Sequence, residues 1–427
     1  MNAFENIIGY ESVKEELLQV ADIIKNREKY EKLEAKVPHG LLIYGAPGLG
    51  KTTLAEEFIK ECGVHARIIK KNNIGEDIFR ELEQAFSDAK EKAQAIVLLD
   101  DMDKYANEDE YHADAEVYVT IQNWIDAVRD DDVFVIATVN DIWKLPKSMK
   151  RAGRFDRIIK IEKPEEDDEL KIVEHYLKSK AIDNNINVED IVKMSGGASC
   201  AELETILNEA AIYAAYEECE HIEIRHVMDA VLKIQHKVSR RANLVKSDED
   251  FKKTALHEAG HLVMAEVIKE GIVGLASMRA SSFYGSGGFV KVNRRGMRRP
   301  EIALLALAGK AAVELYYADQ EANGCMSDLN EAAMLLRSGM IDNASVGLSM
   351  LNTTTPKSCE TSNEYAVRVE VAVNVEMERL MRVARRVMID NRGFLEKVRD
   401  ALVEKDTLLS SDIKLIRNEF EIKGIEI

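Results

Sequence analysis

The residues that could do chemistry begin with residues 255–261, where two histidines stand four apart and a glutamate follows the first. On a helix, residues four apart share a face, so His257 and His261 would direct two imidazoles at one point. Zinc hydrolases use this spacing: two neutral histidines bind the metal, and the glutamate, here Glu258, removes a proton from water. Apolar neighbours predict a buried helix, in which these polar groups need partners. A structural helix with the glutamate in solvent is the alternative.

A third zinc ligand is needed, because two histidines leave a catalytic site one protein ligand short. Residues 327–331 predict the start of a helix, and Asp328 is the candidate ligand. Asp328 and Glu331 also fit an N-terminal capping box, which would make Asp328 structural. Residues 285–292 read as glycines entering a strand. That strand could be an edge for a peptide to pair with or part of an ordinary hairpin.

A phosphate-binding pattern stands near the amino end. The apolar run 41–44, bounded by glycines, predicts a buried strand, and a helical pattern follows the loop. In a GxxxxGK[ST] loop, backbone N–H groups surround phosphate oxygens, the lysine reaches the β and γ phosphates, and the hydroxyl binds magnesium. The nucleotide-binding set is therefore Gly45, Ala46, Pro47, Gly48, Leu49, Gly50, Lys51, Thr52 and Thr53.

Candidate hydrolytic groups follow two further buried strands. Asp100 would hold the magnesium ion and Asp101 would polarise the attacking water, since acidic residues at the carboxyl end of such a strand belong beside the nucleotide. Asn140 follows the next strand and could orient that water. Arg151 and Arg154 could stabilise charge on the transferred phosphoryl group, and such arginines are sometimes supplied by a neighbouring subunit. Taken alone, the arginines also fit a surface salt-bridge cluster.

Composition limits the classes of function. At 427 residues, 46% of them hydrophobic and 31% charged, the chain should hold two or three folded domains. The net charge of −18 argues against nucleic-acid binding and against a DNA-directed ATPase, and the run Arg294, Arg295, Arg298 and Arg299 fits a solvated loop. Five scattered cysteines fit a reducing cytosol. We find no signal pattern, and the most apolar run, 302–318, is too short to span a bilayer. We therefore expect a cytoplasmic protein.

Alternating strands and helices followed by helices alone predict an α/β domain with a small helical one. We place an α/β nucleotide-binding domain at 1–164 and a helical lid at 165–238. A polar linker is expected at 239–250 and a mainly helical zinc-metallopeptidase domain at 251–427. The α/β domain should contain a parallel sheet flanked by helices.

In their order and spacing, these segments resemble the FtsH family of AAA+ zinc proteases. The resemblance rests on residues 6–11, 45–52, 151–157, 197–203, 208–211, 257–261 and 308–315. It implies a homohexamer in which Arg151 and Arg154 reach the neighbour's nucleotide site. It also implies that Ile8 and Gly9 border the adenine, and that Asp328 completes the zinc site. The implied activity is ATP-driven unfolding of protein substrates and their cleavage inside the ring, with ATP, Mg²⁺ and Zn²⁺ as cofactors.

Three features depart from the family. The family has transmembrane helices before the ATPase, whereas this chain begins at the ATPase, so we expect no direct membrane insertion. The acidic pair is Asp100–Asp101, where the family has Asp-Glu. The side chain of Asp101 is shorter than glutamate, which predicts slow ATP hydrolysis. The pore-loop region 69–76 lacks the family's aromatic residue, which predicts weak grip and loosely folded substrates. A remodelling ATPase without proteolysis, or a peptidase whose ATPase mainly assembles the ring, remains an alternative.

Overall fold

The computed structural model describes residues 4–35, 37–70, 76–92, 94–105, 115–129, 131–151, 153–238, 249–279, 287–317, 325–343 and 363–425. The chain divides into two compact units. The first consists of Met1–Lys180 with Gly197–Asn208, and the second of Ala181–Gly196 with Glu209–Ile427.

The first unit is built on a five-stranded parallel sheet with the order β2-β3-β4-β1-β5. Its strands are β1 (Gly40–Tyr44), β2 (His65–Lys70), β3 (Ala95–Asp100), β4 (Val133–Val139) and β5 (Arg157–Lys160). β1, β3 and β4 are almost continuous apolar runs, as expected of parallel strands that are covered on both faces. The phosphate loop follows β1, and Asp100 ends β3, which is separated from β1 by β4 in the sheet order.

The helices that lie wholly in the described part of the first unit are α1 (Glu11–Lys25), α2 (Arg27–Glu31), α3 (Lys51–Cys62), α4 (Glu76–Lys90), α5 (Glu116–Ala127) and α6 (Glu166–Leu177). Alternate strand residues point to opposite faces. Leu41 and Ile43 therefore join one core with residues of α1 and α3. Leu42 lies in the other core with residues of α4 and α5. Two apolar layers thus hold the ends of the strands in place.

The second unit is mainly helical. Its helices are α7 (Val188–Ser195), α9 (Ile224–His236), α10 (Glu249–Ile268), α11 (Arg299–Tyr316), α12 (Met326–Asn343), α13 (Asn363–Asp390), α14 (Arg392–Lys405) and α15 (Ser410–Arg417), and α8 (Cys200–Tyr216) begins in the first unit and ends in the second. A small antiparallel sheet has the order β7-β6-β8, with β6 at Val273–Ser277, β7 at Phe289–Val292 and β8 at Thr407–Leu409. Within the described ranges, no helix is both long and apolar enough to cross a bilayer.

The predicted fold class, an α/β domain followed by a mainly helical one, is confirmed. Helices α1 and α2 are separated at Asn26, and strand β2 was not anticipated from the sequence. α10 already begins at Glu249, so the last two residues of the expected linker are helical, while residues 239–248 lie outside the described residues. The compact units divide the expected lid between them, and the domain boundaries stay a prediction. Of the pore-loop region, residues 71–75 also lie outside the described residues.

Helices α10 and α11 pack unusually closely around one glycine. A Cβ atom at Gly260 would lie 2.6 Å from the carbonyl oxygen of Ala308 and 2.7 Å from the Cβ of Ala312. Both distances are shorter than van der Waals contact allows, so only glycine permits this approach. The alanines on α11 complete the close contact, and both helices belong to one apolar core. Gly260 directly precedes His261, so this helix contact also fixes the position of the His261 backbone.

The change Gly260→Ala should destabilise the second unit. The clash involves a backbone oxygen that cannot swing aside, and overpacking costs about 1–3 kcal/mol. That cost should exceed the gain in helix propensity of about 1 kcal/mol. We expect the melting temperature of the second unit to fall by about 2–4 °C in scanning calorimetry. Gly424→Ala, where a Cβ meets nothing within 4 Å, is the control. An unchanged or higher melting temperature for Gly260→Ala would contradict the packing argument.

Candidate zinc and nucleotide sites

Three side chains from two helices converge in the second unit. His257 and His261 lie one turn apart on α10, and Asp328 lies in the first turn of α12. The Nε2 atoms of the two histidines are 3.0 Å apart, and Oδ2 of Asp328 lies 3.1 Å from His257 Nε2 and 3.4 Å from His261 Nε2. In a tetrahedral zinc site with bonds of about 2.0–2.1 Å, neighbouring ligand atoms lie about 3.3 Å apart. The three atoms therefore have the spacing of zinc ligands.

The protonation of the histidines also suits a metal. Nδ1 of His261 lies 2.8 Å from the carbonyl oxygen of Leu305, so it carries the proton and leaves a lone pair on Nε2. Burial lowers the pKa of His257 and favours its neutral form. Burial opposes ionisation of Asp328, but the two imidazoles that face it within 3.4 Å outweigh burial and lower the pKa of the carboxyl. Burial also disfavours the charged form of His261, but the facing Asp328 carboxylate outweighs it and raises the pKa of His261. Two imidazoles and a carboxylate that converge on one point form a donor set for a cation, which would compete with a proton for that position.

Gly309 on α11 makes room for the imidazoles. A Cβ atom there would lie 2.5 Å from Cε1 and 2.6 Å from Nδ1 of His257, and 2.6 Å from Nε2 of His261. Any side chain at this position would therefore push the rings out of their present arrangement. The sequence analysis missed this role of Gly309. The available signal was a glycine inside a strongly apolar helix, which commonly marks a close approach.

Glu258 lies beside the three candidate ligands and is not one of them. It is 6% exposed, and burial raises the pKa of its carboxyl to about 7. A carboxylate with a pKa near neutrality is suited to accept and return a proton at physiological pH. Gly288, just before β7, packs against it, because a Cβ there would lie 2.9 Å from Cγ of Glu258. The backbone before β7 therefore helps to hold the glutamate.

These residues open into a cavity of about 520 Å³. One wall is the segment from Gly287 to Val292, which contains edge strand β7. Leu305, Ala306 and Val313 of α11 supply an apolar wall on the opposite helix. The cavity thus combines a strand edge with apolar lining next to the histidines. That combination suits a segment of polypeptide more than a small polar molecule.

The phosphate loop of the first unit has the backbone that its sequence predicts. Gly48 and Gly50 both adopt left-handed conformations, with φ values of 77° and 82°, and α3 begins at Lys51. The ammonium group of Lys51 donates to the carbonyl oxygen of Ala46 at 2.9 Å and to Oδ1 of Asn140 at 2.8 Å. Burial lowers the pKa of Lys51. An anionic phosphate at the amino end of α3 would satisfy both the lysine and the helix terminus.

The candidate hydrolytic residues form one hydrogen-bonded cluster. Oδ1 of Asp100 accepts from the hydroxyls of Thr52 and Thr138, both at 2.7 Å. Oδ1 of Asp101 accepts from the Asn140 amide at 3.1 Å. A magnesium ion would find the Thr52 hydroxyl and the Asp100 carboxylate already adjacent. The structure therefore brings together Lys51, Thr52, Asp100, Asp101 and Asn140.

Two members of this cluster were missed by the sequence analysis. Asp103, which was given no role from the sequence, is buried and accepts from the backbone N–H groups of Asn140 and Asp141, each at 3.2 Å. Thr138 was not singled out from the sequence, yet its hydroxyl joins Asp100 to the backbone of Asp101. Both residues position the hydrolytic groups. Polar residues inside or just after an apolar strand were the signal for them.

The segment expected to border the adenine packs near the phosphate loop. Ile7 shares an apolar core with Leu49. Gly9, with φ of 73°, lies against Asp168, whose carboxylate accepts from the backbone N–H of Tyr10 at 3.1 Å. Ile8 is partly buried. The position of the adenine itself stays a prediction.

The two arginines of the 151–157 segment differ in their surroundings. Arg154 donates to both carboxylate oxygens of Asp126, at 3.1 and 2.7 Å, and to Gln122 at 2.6 Å. Arg151 is exposed. A role in a neighbour's nucleotide site is therefore sterically open to Arg151, whereas Arg154 would first have to leave Asp126.

A second group of possible metal ligands consists of Glu217, Cys219 and His226. Nδ1 of His226 accepts the backbone N–H of Glu223 at 3.0 Å, so the ring proton must reside on Nε2. That nitrogen lies 3.1 Å from Glu217, to which it donates. No lone pair of this imidazole is left for a metal, and the group is a structural hydrogen-bond cluster.

Comparison with known proteins finds similarity in both parts of the chain. A family model described as "ATPase family associated with various cellular activities (AAA)" matches residues 41–163. The protein named ATP-dependent zinc metalloprotease FtsH from Ureaplasma parvum is 28% identical over 97% of this chain and 60% of its own length. Proteins with the same name from Streptobacillus moniliformis and Mycoplasma pneumoniae are each 28% identical, over 97% and 98% of this chain and 64% and 62% of their own.

The chain carries an AAA-type nucleotide-binding domain, defined by its parallel sheet, its phosphate loop and the family match. The relatives match it almost end to end, including the helical part that follows that domain. The chain is therefore an FtsH-like AAA+ protein. It spans about 60% of the length of the curated relatives it matches.

If Asp328 is a metal ligand, the change Asp328→Asn should lower zinc content. The amide keeps the size of the side chain but loses the negative charge that faces the two imidazoles. After dialysis against a weak chelator, we expect wild type to retain about one zinc per chain and the variant less than about a tenth of that. Glu331→Gln is the matched control, since Glu331 lines the same cavity but pairs with Arg294. Equal zinc content in wild type and Asp328→Asn would remove Asp328 from the ligand set.

Proposed function

We propose that this chain is an ATP-dependent zinc endopeptidase that degrades unfolded or loosely folded cytosolic proteins. The observation that carries the proposal is the convergence of His257, His261 and Asp328 within 3.4 Å, beside a buried glutamate. The relatives named as ATP-dependent zinc metalloproteases support the same reading. Proteolysis would occur in the helical unit, and ATP hydrolysis would occur in the α/β unit.

In the proteolytic step, His257, His261 and Asp328 would hold a zinc ion. Bound zinc lowers the pKa of water and polarises a carbonyl group. Glu258, with its pKa near 7, would accept the proton of the attacking water and deliver it to the leaving amine. The burial of Glu258 keeps bulk water from competing for that proton. The chain's own residues thus supply binding, orientation and proton transfer.

The cavity beside the histidines supports a peptide substrate. β7 is the edge strand of its sheet, and three of its residues line the cavity that Glu258 also lines. An extended peptide could pair with such an edge through main-chain hydrogen bonds, which carry little sequence information. The apolar wall of α11 would then favour apolar side chains. This combination fits broad cleavage of unfolded chains.

The nucleotide site supports the ATP-dependent part of the proposal. Lys51 and the phosphate-loop amides, from Gly45 to Thr53, would hold the phosphates, and Thr52 with Asp100 would hold Mg²⁺. Asp101 and Asn140 would orient the attacking water. Ile8 and Gly9 would border the adenine.

Assembly and location belong to the same proposal. Homohexamer formation would let Arg151, and Arg154 after release from Asp126, act in a neighbour's nucleotide site. Four cysteines within the described ranges are free, which is typical of a reducing compartment such as the cytosol.

The proteolytic activity is tested by the change Glu258→Gln. With casein as the unfolded substrate and zinc and ATP present, we expect the cleavage rate to fall about 10²- to 10⁴-fold, because the proton acceptor is lost. Zinc content should stay near the wild-type value, since Glu258 is not a ligand. Wild-type protein that holds zinc but leaves casein intact would refute the endopeptidase.

The coupling to ATP is tested by the change Lys51→Ala. Loss of the ammonium group should abolish ATP hydrolysis and slow casein degradation, because the phosphates lose their cationic partner. Cleavage of a short peptide, which needs no unfolding, should change little. The rate of casein degradation by wild type is compared with ATP, with ADP and with a slowly hydrolysed analogue. Casein degradation that is the same with all three nucleotides would show that ATP hydrolysis does not drive delivery.

A further inference from the structure

A lysine holds the carboxylate that would orient the attacking water. Lys104 ends the short 3₁₀ helix Met102–Lys104, and its ammonium group donates to Oδ2 of Asp101 at 2.6 Å. The other carboxylate oxygen of Asp101 accepts from the Asn140 amide at 3.1 Å. Asn140 in turn accepts from Lys51 at 2.8 Å. A continuous hydrogen-bonded chain therefore joins Lys104 to the lysine of the phosphate loop.

The turn that presents Lys104 is fixed at several points. Asp101 has a left-handed backbone, with φ of 51°, and its N–H donates to the hydroxyl of Thr138 at 2.8 Å. Its carbonyl oxygen accepts the backbone N–H of Lys104 at 2.9 Å. Buried Asp103 ties the same turn to the end of β4. The backbone thus places Lys104 beside Asp101 before any nucleotide binds.

The ion pair has a direct consequence for hydrolysis. A carboxylate orients water by accepting a hydrogen bond from it, and an ammonium group on the same oxygen competes for that lone pair. Aspartate has a short side chain, so Asp101 has little freedom to turn away from Lys104. The side chain of Lys104 is 57% exposed and that of Asp101 is 35% exposed, so solvent weakens the pair. The restraint is therefore mild and reversible.

We propose that Lys104 is a positioning residue that restrains the Asp101 carboxylate and thereby slows ATP hydrolysis. This inference rests on the proposed ATPase function. In the reaction, the water oxygen bonds to the γ phosphorus, the bond from that phosphorus to the ADP oxygen breaks, and the water proton passes to phosphate. Asp101 aligns the water for this step. Lys104 has to release Oδ2 before the carboxylate is free to do so.

The test is steady-state ATP hydrolysis by the 427-residue chain carrying Lys104→Met. We expect kcat to rise about threefold, a lowering of the barrier by about 0.7 kcal/mol, with an unchanged KM for ATP. Lys104→Arg keeps a cation at the position, so its kcat should stay below that of Lys104→Met. Lys60→Met is the matched control, because Lys60 on α3 forms an ion pair with Glu57, three residues before it, just as Lys104 does with Asp101. Its kcat should equal that of wild type.

A double-mutant cycle separates an effect through Asp101 from any other effect. In an Asp101→Asn background, Lys104→Met should change the residual rate by much less than threefold, because the restrained carboxylate is gone. A kcat that is unchanged or lower in Lys104→Met overturns the inference. A threefold gain in rate from Lys104→Met in the Asp101→Asn background also overturns it. A raised KM would assign Lys104 to nucleotide binding and would also overturn it.

If wild type neither binds nor hydrolyses ATP, the proposed function fails. If wild type hydrolyses ATP and only the Lys104 effects are missing, this inference alone fails.

Discussion

The close contact between α10 and α11 is the constraint on which the candidate zinc site depends. Gly260 lets the two backbones approach, and Gly309 then leaves space for the rings of His257 and His261. Leu305, one turn before Gly309 on α11, supplies the carbonyl oxygen that fixes the proton on His261. The apolar core around these helices holds both of them in place. Packing thus determines both the position and the protonation of the candidate ligands, and the helix sequence alone determines neither.

The nucleotide cluster is organised differently, by hydrogen bonds at the ends of parallel strands. Thr138 at the end of β4 bridges Asp100 and the backbone of Asp101, while Asp103 receives two backbone N–H groups. Buried polar groups of this kind are stable only when they are paired. The phosphate loop adds backbone donors at the start of α3. Each carboxylate is therefore held in place by protein groups before a magnesium ion or a nucleotide arrives.

Much of this architecture could be predicted from local sequence, because its signals are local. The glycine spacing before Lys51, the apolar strands and the four-residue spacing of His257 and His261 each act within a few positions. Asp328 lies far from the histidines in sequence, so its proximity needed the fold, and the structure places it 3.1 Å from His257. The restraint of Asp101 by Lys104 depends on a left-handed turn that no composition rule predicts. Likewise, the ion pair between Asp126 and Arg154 joins residues from separate parts of the sequence.

Gly309 has a consequence for how such chains are classified by sequence. A single added methyl group at this position would displace both imidazoles while leaving every letter of the histidine motif intact. A homologue with alanine there would pass a motif search as a metalloenzyme and yet bind no metal. Divergent copies that have lost catalysis are therefore best recognised at a residue that has no side chain, on a helix that contributes none of the ligands.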